Sequence, residues 1–165
     1  MTSDYDIAPA MPEDIPGILA LQEANLPGHG GSLSVRLPAD WFERAMQAMP
    51  LVVARRDGAV VGYVVATSLA AQMHIPIVQA MAAKFPPPAG CFIQGPVCVA
   101  ASERGKGLAG LMFKELCAQL PGQSAITFIR SDNAPSLRAH EKVGMHILGE
   151  FENGGERYTA LRYAP

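Results

Sequence analysis

The residues with the clearest chemical potential form a glycine-rich turn from Arg104 to Gly107, a few residues after an apolar run that ends at Val99. If the run is a strand and the turn opens a helix, the first helical amides lack intrahelical partners and the positive end of the helix dipole is exposed. Such a place binds phosphate. The glycines let the backbone approach an anion closely, and Arg104 and Lys106 add positive charge at the rim. The turn therefore predicts a phosphate site, and the alternative is an ordinary basic connection between a strand and a helix.

Two nucleotide-binding patterns compete for this turn. Residues 105–110 satisfy the dinucleotide-binding fingerprint, and Asp132 lies near the expected distance beyond it. In that fold the first glycine follows its strand almost at once, whereas residues 100–104 intervene here, and too few βα units remain to complete the sheet. The P-loop pattern fails because Lys106 is followed by glycine. A dinucleotide-binding oxidoreductase stays open as the weaker alternative.

The composition is that of one ordinary globular domain over residues 1–165, with 49% hydrophobic and 17% charged residues. A net charge of −2 gives no overall attraction to nucleic acid or to an anionic membrane. The three cysteines are odd in number and lack metal-ligand spacing, so we expect no metal site and a reducing environment. Neither a signal peptide nor a membrane span is recognisable, and we therefore expect a cytoplasmic protein.

The elements that must position the turn alternate along the chain. Asp-Gly between two runs rich in β-branched residues predicts a hairpin, and apolar residues at helical spacing follow the turn. The predicted strands are 6–9, 51–56, 60–67, 91–99, 125–130, 145–151 and 157–163, and the predicted helices are 14–25, 40–49, 74–85, 108–120 and 133–143. This order indicates an α/β fold with a mixed sheet. Gly95 and Pro96 interrupt the fourth strand and predict a bulge or a sheet edge there, unless the strand simply begins after them.

These residues resemble the GCN5-related N-acetyltransferase (GNAT) superfamily. Its pyrophosphate loop follows Arg/Gln-x-x-Gly-x-Gly/Ala, which residues 104–109 match, and residues 97–99 match its central strand. A second signature begins Asn-x-x-Ser, continues with an aromatic residue four positions later and ends in Glu-Lys-x-Gly-Phe. It is matched over residues 133–145, with His140 at the aromatic position and Met145 at the end. The first strand and helix also look like those of the family, so the resemblance spans nearly the whole chain.

The resemblance implies a mixed, mostly antiparallel sheet of about seven strands, flanked by helices and splayed between the fourth and fifth strands. It implies an acetyl-CoA-dependent N-acetyltransferase that acts on a small-molecule or amino-acid-like amine by direct attack in a ternary complex. Main-chain amides of the loop would hold the coenzyme A pyrophosphate, and the strand before it would pair with pantetheine. The implied cofactor-binding residues are Val97, Cys98, Val99, Arg104, Gly105, Lys106, Gly107, Leu108, Ala109, Asn133, Ser136 and His140.

The catalytic groups are less clear than the cofactor loop. His140 stands where the family usually has a tyrosine that protonates the leaving thiolate. A histidine can donate a proton near neutral pH, act as a base when neutral, or simply pack beside Ser136. Glu23 is the other catalytic candidate, although no side chain stands out as the general base and a water could relay the proton. Asn133 is also well placed to cap its helix. The candidates for the acceptor site are Glu23, Asn25, Tyr63 and Gln94.

The missing tyrosine supports a second hypothesis, a catalytically idle acyl-CoA-binding or regulatory module. Residues 27–37 and 68–89 are expected to wall the acceptor site, since such loops vary with substrate. The expected partner is a small-molecule amine, with neither nucleic acid nor membrane involved. Homodimerisation, which is common in the family, stays open.

Overall fold

The protein is described by a computed structural model that covers residues 4–26, 33 and 35–165. Most of the predicted acceptor segment 27–37 lies outside the described residues. The strands are β1 (Asp6–Pro9), β2 (Leu51–Arg56), β3 (Ala59–Thr67), β4 (Phe92–Val99), β5 (Ala125–Arg130), β6 (His146–Asn153) and β7 (Glu156–Tyr163). The helices are α1 (Ile15–Ala24), α2 (Ala39–Ala48), α3 (Leu69–Gln72), α4 (Pro76–Lys84), α5 (Leu108–Gln119) and α6 (Ala134–Lys142).

The seven strands form one mixed sheet in the order β1-β2-β3-β4-β5-β7-β6, and most of its pairs are antiparallel. The exception is the parallel pair of β4 and β5, whose ladder joins Phe92 to Ala125 and Ile93 to Ile126. The paired residues precede Gly95 and Pro96, which lie inside β4, and β5 is paired with β7 as far as Arg130. The predicted mixed, mostly antiparallel sheet of seven strands is confirmed. The splay between the fourth and fifth strands stays a prediction.

The described chain divides into two compact units, of which the first comprises Met1–Ala66 and Gly95–Leu120. In this unit α5 packs against β1 and β2, and α1 packs against α2. Asp14, the residue before α1, is joined to β2, since its carboxylate accepts hydrogen bonds from Arg55 as well as from the Met11 amide. The predicted hairpin turn is confirmed at Asp57 and Gly58, which both have positive φ as a tight turn between strands requires.

The second unit comprises Thr67–Gln94 and Pro121–Pro165. Its sheet is the β5-β7-β6 ladder, and α4 packs against β6. The predicted helix 74–85 is present as α4, which begins two residues later than predicted. The chain forms α3, capped by the Ser68 side chain, and then begins α4 at Pro76, because proline favours a first helical position. The prediction of a single domain over residues 1–165 stays a prediction.

Among the described residues, no helix has the length and apolar character needed to cross a bilayer.

Candidate cofactor and catalytic residues

The glycine-rich loop connects β4 to α5 in the first unit. Gly107 is the N-cap residue of α5, and Gly105 and Gly107 each have φ of +78°, a conformation that residues with a β-carbon rarely adopt. A β-carbon built on either glycine would meet no other heavy atom within 4 Å. The approach to the first turn of α5 is therefore free of protein side chains at these two positions. This backbone fits a pyrophosphate, because the first amides of a helix have no intrahelical partner.

Both cations of the loop are held by other groups of the protein. The Lys106 ammonium lies 3.1 Å from a Glu103 carboxylate oxygen, and the Arg104 guanidinium donates a hydrogen bond to the Asn25 side-chain oxygen. Glu103 also accepts hydrogen bonds from the Tyr5 hydroxyl at 2.6 Å and from Arg56 at 3.2 Å. These donors, Tyr5 and Lys106 foremost, lower the pKa of Glu103. The carboxylate is therefore charged at neutral pH, and its ion pair with Lys106 holds the start of the loop.

Glu103 was missed by the sequence analysis. The available signal was its spacing of three residues from Lys106, the separation at which two side chains lie close together on a helical turn. Its other partners, Tyr5 and Arg56, are 98 and 47 residues away in sequence, so no local pattern could have indicated them.

The end of β4 presents alternating side chains. Cys98 is buried, and its thiol lies 3.7 Å from the Leu21 carbonyl oxygen, whereas Val97 and Val99 are half-buried. Burial raises the pKa of Cys98 to about 12. The side chain is therefore a neutral thiol and a packing residue, so a cofactor-binding role at Cys98 would involve the main chain.

Tyr63 lies in the core of the first unit, with its ring edge-on to Phe42 at a centroid distance of 5.7 Å. Its hydroxyl lies beside the Cys98 thiol and has no hydrogen-bond partner within the described part of the chain. Burial raises the pKa of Tyr63, so the hydroxyl stays protonated. An acceptor role for Tyr63 stays a prediction that would require the ligand to reach a fully buried group.

Glu23 and Asn25 lie at the end of α1 but in different environments. Glu23 is partly exposed and forms a 3.1 Å ion pair with Arg36. Asn25 is only 5% exposed. Its amide nitrogen donates to the Leu21 carbonyl at 2.8 Å, and its oxygen accepts from Arg104. Glu23 can face a ligand, whereas both ends of the Asn25 amide are already used by the protein.

His140 and Gln94 meet in the second unit. His140 is 6% exposed, and its Nδ1 lies 2.7 Å from the Ser136 carbonyl oxygen. Because a carbonyl only accepts, Nδ1 carries the proton. The other ring nitrogen, Nε2, faces the Gln94 amide nitrogen at 3.5 Å, and an amide nitrogen only donates. Burial lowers the pKa of His140, so the ring is neutral with a lone pair on Nε2.

Gln94 is hydrogen-bonded to β5 through its main chain, and one atom of its side chain has no partner among the described residues. Its main-chain carbonyl accepts a 2.6 Å hydrogen bond from the Thr127 hydroxyl. Its side-chain oxygen is buried without a hydrogen-bond partner among the residues that the structure describes. The predicted cap of α6 is confirmed, since the Asn133 side-chain oxygen accepts from the Ser136 amide at 3.3 Å. The structure therefore groups Gln94, His140 and Ser136 in the second unit, and Asn25, Cys98 and the loop in the first.

Comparisons with known proteins agree with the motif and the fold. A model of the acetyltransferase (GNAT) family matches residues 16–145, and the chain therefore belongs to this family. No curated protein matches the chain.

Three solved structures illustrate the likeness in fold. The first is yncA, a putative acetyltransferase from Salmonella typhimurium with its cofactor acetyl-CoA, at 20% identity and a TM-score of 0.73 over 98% of this chain and 94% of that one. The second is ribosomal-protein-alanine N-acetyltransferase from Brucella melitensis, at 22% identity and a TM-score of 0.70 over 97% and 99%. The third is a phosphinothricin acetyltransferase from Sinorhizobium meliloti in complex with acetyl-CoA, at 18% identity and a TM-score of 0.71 over 98% and 89%. Because all three identities lie below 25%, these similarities show that the fold is shared and nothing further.

Proposed function

We propose that the protein is an acetyl-CoA-dependent N-acetyltransferase that acts on a small-molecule or amino-acid-like amine by direct attack in a ternary complex. The observation that carries the proposal is the loop at the N-terminus of α5, where Gly105 and Gly107 leave the helical amides open in a chain of the acetyltransferase family. The acetyl-CoA complexes of two proteins with the same fold support the choice of cofactor.

In this reaction acetyl-CoA supplies an acetyl group activated as a thioester. The amine nitrogen forms a bond to the acetyl carbon, the carbon–sulfur bond breaks, the amine loses one proton and the sulfur leaves as a thiol after gaining one. The protein must therefore bind an anionic cofactor, keep the amine neutral and move a proton.

The loop backbone does most of the anion binding in this proposal. Arg104 and Lys106 are engaged with Asn25 and Glu103, so the main-chain amides of residues 105–109 are the donors left for the pyrophosphate. The main chain at Val97 and Val99 is assigned to pantetheine, and Asn133 and Ser136 keep their predicted cofactor contacts.

His140 is assigned the part of a proton acceptor. Its lowered pKa keeps the resting ring neutral, with the proton on Nδ1. Nε2 then has a lone pair that can accept a proton and has no proton to donate. Glu23 is the second catalytic candidate, since its carboxylate is partly exposed at the end of α1. The cytoplasmic location and the homodimer stay predictions.

A catalytically idle acyl-CoA-binding module is the second candidate function. It is favoured by the histidine at the usual tyrosine position, whose ring is buried and hydrogen-bonded to the protein at both nitrogens.

The two functions are separated by measuring acetyl-CoA binding and thiol release on the same sample. The enzyme should release coenzyme A from acetyl-CoA with at least one member of a panel of amines and amino acids, above the rate without amine. Binding by calorimetry without release for any amine would favour the idle module. If acetyl-CoA does not bind at all while NAD(P)H raises the melting temperature, both would be refuted in favour of a dinucleotide-binding protein.

A further inference from the structure

The end of α1 and the cofactor loop are joined by the hydrogen bond between Asn25 and Arg104, 79 residues apart in sequence. Asn25 is the residue that ends α1. Its amide nitrogen donates to the Leu21 carbonyl of the same helix at 2.8 Å. If the amide turned over, its NH2 group would face the guanidinium and its oxygen would face a carbonyl. The bond to Leu21 therefore fixes the orientation that presents the Asn25 oxygen to Arg104.

The surroundings of this bond favour a cation at the position of the Arg104 guanidinium. The last carbonyl groups of a helix carry the negative end of its dipole, and Asn25 lies directly after α1. The Leu21 carbonyl also accepts a contact from the Cys98 thiol at 3.7 Å, so α1 and β4 meet at this carbonyl oxygen.

Arg104 directly precedes Gly105, and two glycines in left-handed conformations follow within three residues. Glycine loses more backbone freedom than any other residue when it is ordered, so an untethered loop would lose much conformational entropy on binding a ligand. The hydrogen bond between Arg104 and Asn25 orders the loop before the ligand binds and so reduces the entropy lost on binding. Lys106 is held independently by Glu103.

We infer that Asn25 is a positioning residue for the cofactor loop, which holds Arg104 so that the loop amides are arranged for the coenzyme A pyrophosphate before it binds. The inference rests on the proposed function, because it takes the loop to bind acetyl-CoA. It differs from the acceptor-binding role predicted for Asn25 from the sequence. It also differs from the cofactor-binding role predicted for Arg104, since here its guanidinium binds the Asn25 side chain and not a phosphate of the cofactor.

The test is a double-mutant cycle on acetyl-CoA binding, measured by titration calorimetry with wild type, Asn25→Ala, Arg104→Ala and the double variant. Because a hydrogen bond to a charged group is broken, each single variant should raise the Kd about tenfold. The double variant should bind no more weakly than the single ones, since both break the same link. In steady-state assays the KM for acetyl-CoA should rise while kcat stays near the wild-type value.

Gln22→Leu is the matched control for loss of a buried polar group from α1. Gln22 is as buried as Asn25, and its side chain makes two hydrogen bonds to the main chain of Leu37 and none to the loop. This variant should melt at a lower temperature and bind acetyl-CoA with the wild-type Kd. If Asn25→Ala does not fold, Arg104→Ala still tests the inference, because its side chain is exposed and its removal leaves the core intact, and a wild-type Kd in this variant would overturn the inference.

The inference is overturned if Arg104→Ala weakens binding by the same factor with and without Asn25→Ala, since Arg104 would then contact the cofactor itself. It is also overturned if Asn25→Ala binds like wild type, or if Gln22→Leu weakens binding as much as Asn25→Ala. Failure of the wild-type protein to bind acetyl-CoA would refute the proposed function itself, and this outcome is separate from the other three.

Discussion

The ring nitrogen Nδ1 of His140 lies 2.7 Å from the carbonyl oxygen of Ser136, one helical turn earlier in α6. This bond decides which ring nitrogen carries the proton and leaves Nε2 as the only basic position of the side chain. This state differs chemically from that of the tyrosine that the resemblance to the family predicts at this position, since a neutral tyrosine offers a proton and this imidazole offers a lone pair.

The lowered pKa of His140 predicts a dependence of stability on pH. Below the ordinary value of 6.5 the unfolded chain takes up a proton at this residue, whereas the folded protein does so only at a lower pH. The free energy of unfolding should therefore fall as the pH drops below about 6.5. Urea unfolding of wild type and His140→Gln between pH 7.5 and 5.5 tests this. The slope should be steeper for wild type, and parallel curves would contradict a buried neutral ring.

Turnover should depend on His140 more than cofactor binding does. We expect His140→Gln to lower kcat about 100-fold, the usual size of a lost acid–base group, with a Kd for acetyl-CoA near the wild-type value. His146→Gln is the control, because it removes an exposed histidine from β6. If His140 accepts a proton, wild-type kcat should rise with pH across its titration, and the variant should lose that rise. A variant with wild-type kcat at every pH would refute the role.

Substitution of the loop glycine Gly107 should abolish cofactor binding. In Gly107→Glu the new side chain would occupy the approach to the first amides of α5 and reverse the charge there. Gly90→Glu is a matched control, since Gly90 has φ of +79° and equally open surroundings but lies outside the loop. Each change costs about 1–2 kcal/mol of backbone strain. Only Gly107→Glu should lose acetyl-CoA binding by calorimetry, and intact binding in a folded Gly107→Glu would overturn the phosphate-loop assignment.

Glu103 should contribute to stability at neutral pH through its charged form. Its pKa is lowered by the donors around it, so the stabilisation is present above the ordinary carboxyl value of 4.5 and is lost as the pH falls through the lower folded value. Glu103→Gln should therefore melt below wild type at pH 7, and the difference should shrink as the pH falls below 4.5. Glu141→Gln, at an exposed position on α6, is the control and should melt like wild type. A difference that persists at low pH would show that packing matters more than charge.

Several elements were predictable because their signals are local. The hairpin turn at Asp57 and Gly58 depends on two adjacent residues that tolerate positive φ, and the cap of α6 depends on Asn133 and an amide three residues away. The start of α4 was predicted two residues early, at residue 74 instead of Pro76. Helical propensity is a weak signal that does not mark the first residue of a helix, and the packing of the folded chain decides where the helix begins.

By itself, the sequence determined the order of the elements and the glycine loop at the start of α5, because each depends on residues close together in the chain, and the mixed sheet was inferred from that order. Only the tertiary structure decided the states of the side chains. It buried Tyr63, paired His140 with Gln94 across 46 residues, and engaged both loop cations, Arg104 with Asn25 across 79. Exposure, tautomer and ion pairing depend on which distant groups packing brings within hydrogen-bond distance, and no pattern of neighbouring residues contains that information.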